Sequence, residues 1–293
     1  MNVVSILRII LVVWVIVAGI MLVVDMKKHA GDLEIKSSKT VKNFLIGFVA
    51  NFFDTWGIGS FAPSTFAYKT FKSCNDDLIP GSLNVGDTFP VVVEAIWFLD
   101  FVDIDPVTLV AMLAAAALGA FIGAGIVSKM NVNAIRVGMG IALVCCAVIF
   151  FCKLLGVGPF GLVGTATGVT GIKLVVAVVV NFFLGALMMI GFGLYQPCMA
   201  LVMILGMDIG VAFPVMMGSC AVLMLTSVPK FIQTGKYDKN ATLMNAIGGS
   251  LGALAACLLI DYAIDLTTLS YIVCVVMLYT AIRMFLDARK KAA

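Results

Sequence analysis

Charge is what this chain has least of: 12% of its 293 residues are Asp, Glu, Lys or Arg, against roughly a quarter in soluble domains. There is a single histidine, His29, and it falls in a loop. The eight cysteines show no CxxC spacing, which argues against a disulfide framework or a zinc site and leaves them as small buried hydrophobes. No Gly-x-x-x-x-Gly-Lys-Ser/Thr loop is present, so no nucleotide fuel is indicated. A net charge of +3 without a basic block excludes nucleic acid as a partner. Nothing calls for a metal or another cofactor, and no catalytic constellation is visible, so an enzyme is not expected.

What is present is hydrocarbon. Apolar residues make up 62% of the chain and the mean hydropathy is +1.13. Runs long enough to cross a bilayer of about 30 Å as helices lie at 3–24, 82–100, 107–128, 134–155, 210–229, 240–260 and 268–286. They lack the period-2 alternation of a membrane barrel. The first run is too long for a signal peptide and lacks its small-residue exit, and it is read as the first helix.

The rest of the chain is a duplication. Gly57-Ile58-Gly59 and Gly191-Phe192-Gly193, Pro63 and Pro197, and Pro80 and Pro214 all stand 134 positions apart (191 less 57, 197 less 63, 214 less 80). Leu118-Gly119-Ala120 and Leu251-Gly252-Ala253 follow at 133, with Gly-xxx-Gly spacings at Gly119/Gly123 and Gly248/Gly252 that are read as helix packing. The division expected is 1–41 for the first helix and a basic loop, 42–155 for the first repeat, 156–172 for a Gly-rich linker and 173–293 for the second repeat.

Basic loops orient membrane helices, because Lys and Arg stay on the cytoplasmic side. The loops holding Lys27 to Lys42, Lys69 and Lys72, Lys129 and Arg136, Lys230 to Lys239, and Arg283 to Lys291 are placed inside; the acidic loops at Asp100–Asp105 and Asp261/Asp265 are placed outside. The amino terminus is then outside and the carboxyl terminus cytoplasmic. Lys153 and Lys173 fall on the wrong side. Equivalent loops carry opposite charge, so the two repeats are expected upside down relative to each other. The arms at 42–72 and 173–206 are too short and too interrupted for comfortable spans, so each is expected to be a re-entrant hairpin. The fold class is all-α integral membrane: two inverted repeats, each a re-entrant hairpin plus three spanning helices, after one extra amino-terminal helix.

Irregular backbone inside hydrocarbon survives only where protein or a water-filled cavity satisfies it. The Gly-x-Gly turns should therefore line a site, each starting a half-helix whose free N–H groups favour an anion. The expected substrate residues are Gly57, Gly59 and Ser60 at one turn, and Gly191, Gly193, Tyr195 and Gln196 at the other. Beside them stand Ser82, Asn84 and Thr88 after Pro80, and Gly218, Ser219 and Cys220 after Pro214. Acids at depth are expensive, so Asp54, Asp87 and Glu94, all in the first repeat, are the expected coupling residues.

These motifs, Gly57-Ile58-Gly59 with Pro63, Gly191-Phe192-Gly193 with Pro197, then Gly81-Ser82 or Gly86-Asp87-Thr88, and Gly218-Ser219-Cys220, resemble the TauE/SafE sulfite exporter family over nearly the whole chain after the first helix. The resemblance implies a permease for sulfite, for sulfonates such as sulfoacetate or taurine, or for related small organic anions, usually exporting. Ser60 and Leu194 stand where that family usually carries a longer glycine run, and the first half has no Gly-Thr-Ser. The expected function is a secondary anion transporter in the cell membrane working by alternating access. Its expected partners are a small anion and the bilayer, with proton coupling and a homodimer left open. The alternatives are a cation- or proton-coupled carrier using the embedded acids, and a sulfur-transfer membrane protein using Cys198 or Cys220.

Overall fold

Helix ends are set by residues that stop or start hydrogen bonding locally. In the computed structural model, which describes residues 3–33, 38–99, 103–162, 164–259 and 267–290, the elements are α1 (Val3–Lys28), α2 (Ser38–Thr55), α3 (Phe61–Phe71), α4 (Ile79–Gly86), α5 (Thr88–Phe98), α6 (Pro106–Val127), α7 (Val132–Leu155), α8 (Gly171–Met188), α9 (Tyr195–Ile204), α10 (Ala212–Thr234), α11 (Lys239–Leu258) and α12 (Thr267–Lys290). Asp105, Asn131 and Asp238 cap α6, α7 and α11 by accepting from backbone N–H groups at 2.8, 2.8 and 2.9 Å, which satisfies donors the first turn leaves free. Gly156 and Gly235 end α7 and α10 in the left-handed conformation, where a side chain would be strained. The fold is all-α among the described residues, with one isolated bridge between Ala166 and Met207.

Six of these helices, α1, α6, α7, α8, α10 and α11, are long and apolar enough to cross a bilayer. Two differ from the sequence reading. The run 82–100 is not one span but α4 and α5, interrupted at Asp87; Pro90 has no N–H to return to the Gly86 carbonyl and its ring crowds the preceding turn. The arm at 173–188 is part of α8, a helix of 18 residues, about 27 Å at 1.5 Å per residue. Each hairpin thus pairs a long arm, α2 or α8, with a short one, α3 or α9. The expected span 268–286 lies within α12, whereas the acidic loops at 100–102 and 261–265, with Lys36 and Lys291, lie outside the described residues.

Helices at equivalent positions make equivalent contacts. α2 packs on α11 as α8 packs on α6, α5 on α11 as α10 on α6, and α3 on α12 as α9 on α7. Residue pairs give the directions. α2 and α11 run the same way, from Asn43 against Asn240 to Trp56 donating to Ala256 O, and so do α6 and α8, from Met112 against Asn181 onward to Gly123 against Ala186. α7 and α12 run oppositely, from Arg136 on Asp287 O to Cys274 on Ala147 O. The α4–α5 pair also opposes α10, with Gly81 at Phe231 and Phe98 stacked on Phe213 at 5.6 Å.

The close same-direction pairs rest on glycine. A Cβ at Gly119 would stand 1.9 Å from Phe182 O, and one at Gly252 would stand 2.2 Å from Phe48 O. Both Gly-xxx-Gly motifs are therefore packing motifs, as read from the sequence: the missing side chains let backbones touch where no hydrophobic effect drives helices together. α10 is the most buried of the six long apolar helices and α1 the least. The outer helices present apolar side chains outward, among them Trp14, Phe121, Ile172 and Val275, as lipid contact requires.

Charge collects at one end. Lys39–Asp238, Lys69–Asp76, Lys69–Asp287, Arg136–Asp76 and Lys236–Asp77 pair at 2.7 to 3.4 Å and join the basic loops to one another. At the other end the linker folds onto α6 and α9. Thr167 O accepts from Asp105 N at 3.0 Å and Val169 N donates to Thr108 Oγ1 at 3.0 Å. Lys173, on the wrong side by loop charge, donates to Leu205 O at 3.0 Å, where a cation complements a helix carboxyl end.

Gly119→Val should separate α6 from α8 and lower the stability of the purified protein by about 1–3 kcal/mol or more, read as a fall in the thermal midpoint. A second prediction concerns Asp105. Hydrogen bonds from the Thr108 hydroxyl and then its N–H hold the carboxyl below the usual carboxylate range. A depressed folded value means that the stabilisation is present above the unfolded value of about 3.9 and is lost as pH falls through the folded one. Asp105→Ala should therefore destabilise by about 1 kcal/mol at neutral pH, with the difference from wild type closing in acid.

Candidate functional site

The two Gly-x-Gly turns meet. Gly57 and Gly59 adopt φ of +89° and +91°, and Gly191 adopts +100°, conformations open to glycine and strained for other residues. These bends let α2 reverse into α3 and α8 into α9. Pro63 and Pro197 fall at the third residue of α3 and α9, where a missing N–H removes no helix bond. The first bonds of these half-helices run from Ser64 N to Ser60 O and from Cys198 N to Leu194 O.

Between the turns lies a cavity of about 30 Å³ lined by Asp54, Gly59, Ser60, Val91, Met188, Gly193, Leu194, Tyr195, Gln196, Cys220 and others. A second, of about 20 Å³, shares Gly59, Gly193 and Gln196 and adds Gly191 and Cys146. Gln196 crosses between the halves and donates to Gly57 O at 3.0 Å.

Three carboxylates surround this point. Asp54, Asp87 and Glu94 are 2%, 0% and 0% exposed. Asp54 Oδ1 accepts from Ser60 N at 3.0 Å, so the amino end of α3 already holds a carboxylate. Asp87 Oδ1 accepts from Asn245 at 2.6 Å and Asn51 at 3.1 Å, and its Oδ2 accepts from the Ser60 hydroxyl at 3.2 Å. Glu94 accepts from the Thr55 hydroxyl at 2.8 Å and the Tyr195 hydroxyl at 2.9 Å. Every one of these donors is neutral, and no Lys or Arg pairs with any of the three acids among the described residues.

Thus Asp54, Asp87, Glu94, Gly57, Gly59, Ser60, Gly191, Gly193, Tyr195, Gln196 and Cys220 do come together. The remaining expected residues stand aside. Asn84 donates to Pro80 O within α4, and Thr88 to Asn84 O across the α4–α5 break. Ser82 accepts from Asp238 N, Gly218 faces Leu113, and Ser219 accepts from Asn181. Asn51, Thr55 and Asn245 were missed by the sequence reading. An amide within an apolar helix is itself expensive, and Asn51 and Asn245 could have been found by that signal.

Asn245→Ala would take from Asp87 its shortest hydrogen bond. The expected loss is about 1–3 kcal/mol, measured by thermal or denaturant unfolding in detergent; an unchanged transition would mean that this bond contributes nothing.

A search of curated proteins and one of solved structures found no match. The family model described as sulfite exporter TauE/SafE matches residues 2–150, which takes in α1 to α7 up to the last turn of α7, with the first Gly-x-Gly turn and all three buried acids. With half its length under that model, the chain belongs to the sulfite exporter TauE/SafE family, a family of membrane transporters.

Proposed function

We propose that this chain carries small sulfur-containing or organic oxyanions, sulfite and sulfonates first among them, across the cell membrane by alternating access. The observation that carries this reading is the meeting of the two Gly-x-Gly turns, with Ser60, Tyr195, Gln196 and two half-helix amino ends around one small cavity. These groups are hydrogen-bond donors without a fixed cation, which suits an anion that must also leave. About 30 Å³ is roughly one water's share of the liquid. The conformation described is therefore a closed one, and the halves must part to admit substrate.

The antiparallel run of α7 against α12, and of α4–α5 against α10, supports an inverted repeat built from 42–155 and 173–293. The ion-paired basic end is assigned to the cytoplasm, which leaves the amino terminus outside. Export of an anion is then electrically downhill by about 2.3 kcal/mol per charge at 100 mV.

Asp54 gives the coupling. Its carboxylate occupies the amino end of α3, the seat a substrate anion would take. Protonating Asp54 frees that seat, so proton uptake and anion binding go together. Asp54→Asn should leave sulfite flux into proteoliposomes measurable while flattening its pH dependence. Ser60→Ala and Gln196→Ala should each raise the half-saturating concentration about fivefold, the effect of one hydrogen bond near 1 kcal/mol. Cys220→Ala should keep flux; its abolition would favour the sulfur-transfer reading. Flux of cations with no response to anions would overturn the proposal.

A further inference from the structure

Below Ser60 the structure leaves polar groups that nothing uses. Ser60, Ser64 and Tyr68 recur at a spacing of four along α3 and so share one face. Ser64 and Tyr68 are fully buried, yet the Ser64 Oγ and the Tyr68 hydroxyl have no hydrogen-bond partner among the described residues. Ser73 Oγ and Asn84 Oδ1 are in the same condition. Ser73 is tied to Tyr68 by its N–H on Tyr68 O at 3.0 Å, and Asn84 lies on α4, against which α3 packs. Four orphaned polar atoms thus belong to one pair of packed elements, α3 with its exit loop and α4. Buried polar groups are ordinarily satisfied, and each exception asks for an explanation.

The two ends of this seam are defined. At one, Ser60 donates to Asp87 and lines the closed cavity. At the other, α3 ends among the ion pairs of Lys69 with Asp76 and Asp287. Beside that end, between α3 and α12, lies a pocket of about 140 Å³ lined by Lys69, Lys72, Arg283, Thr70 and Thr280 among others. Lys72 takes a φ of +51° there, a conformation glycine adopts more easily. The basic end of the chain therefore stands about 16 Å from Ser60, the length of the eleven residues of α3. Three of the four orphaned groups are hydroxyls with nothing to donate to, and the one cation within α3, Lys69, is turned to Asp76 and Asp287. Each of the three hydroxyls has a proton free to give to an acceptor.

We propose that the α3–α4 seam is the inner passage of the transporter, closed in this conformation, and that the Ser64, Tyr68 and Ser73 hydroxyls receive the oxygens of a small oxyanion in transit between the core cavity and the basic end. This rests on the transport reading for its cargo, but the passage itself is tested by access alone.

Two measurements on the full chain test it. Ser64→Cys, in right-side-out and inverted membranes, is treated with a membrane-impermeant anionic thiosulfonate, and mass spectrometry locates the adduct. Labelling at position 64 from the basic face, slowed by sulfite, is expected. Labelling from the opposite face only, or none in a protein that still moves sulfite, overturns the passage while leaving the transport reading intact. Tyr68→Phe removes one hydroxyl and keeps the ring. Its thermal midpoint should hold or rise, since an orphaned polar group is removed, while sulfite flux falls about fivefold, one hydrogen bond's worth. A merely structural tyrosine would leave flux unchanged, and that result also overturns the proposal.

Discussion

A bilayer offers no water to a carboxylate or to a broken helix end, and the architecture follows from where those groups find partners. Unsatisfied backbone in hydrocarbon costs several kcal/mol per group, so the turns at Gly57–Gly59 and Gly191–Gly193 are drawn to the one place where each can serve the other. Gln196 of one turn donates to the Gly57 carbonyl of the other. The acids are held the same way, by amides and hydroxyls from α2, α9 and α11. Bringing the α2 and α11 donors within 3.1 Å of the acids demands backbones that touch, which is the work of Gly47, Gly248 and Gly252 between those two helices.

The glycine and proline spacing recurs but the chemistry does not. Adding the repeat offset of 134 to Asp54 gives Met188, and adding it to Asp87 gives Ala221, beside Cys220. Met188 and Cys220 line the cavity across from the acids. One half therefore supplies the ionisable groups and the other an apolar wall with two neutral donors, Tyr195 and Gln196. Such a division avoids the repulsion that a second set of carboxylates would add.

Much of this was legible beforehand, and for identifiable reasons. Span positions follow from hydropathy, and the turns follow from glycine and proline, whose backbone preferences are local. The ion pairs from Lys39 to Lys236 join the basic loops to one another. The stretch 82–100 was misread because hydropathy averages over a break that Pro90 imposes on a single carbonyl. Asn84, Thr88 and Ser219 were placed in the site because spacing puts them near it, whereas the direction in which each side chain turns depends on the neighbouring helix.

By itself, then, the sequence determined which segments are apolar and where their backbone must bend, because each of these depends on residues adjacent in the chain. Only the tertiary structure decided which donors reach Asp87 and Glu94, that Asp54 already sits at the amino end of α3, and that the Ser64 and Tyr68 hydroxyls find no partner among the described residues. Those facts depend on contacts between residues as many as 158 positions apart, as with Asn245 and Asp87, and no local rule sets the rotation of one helix against another.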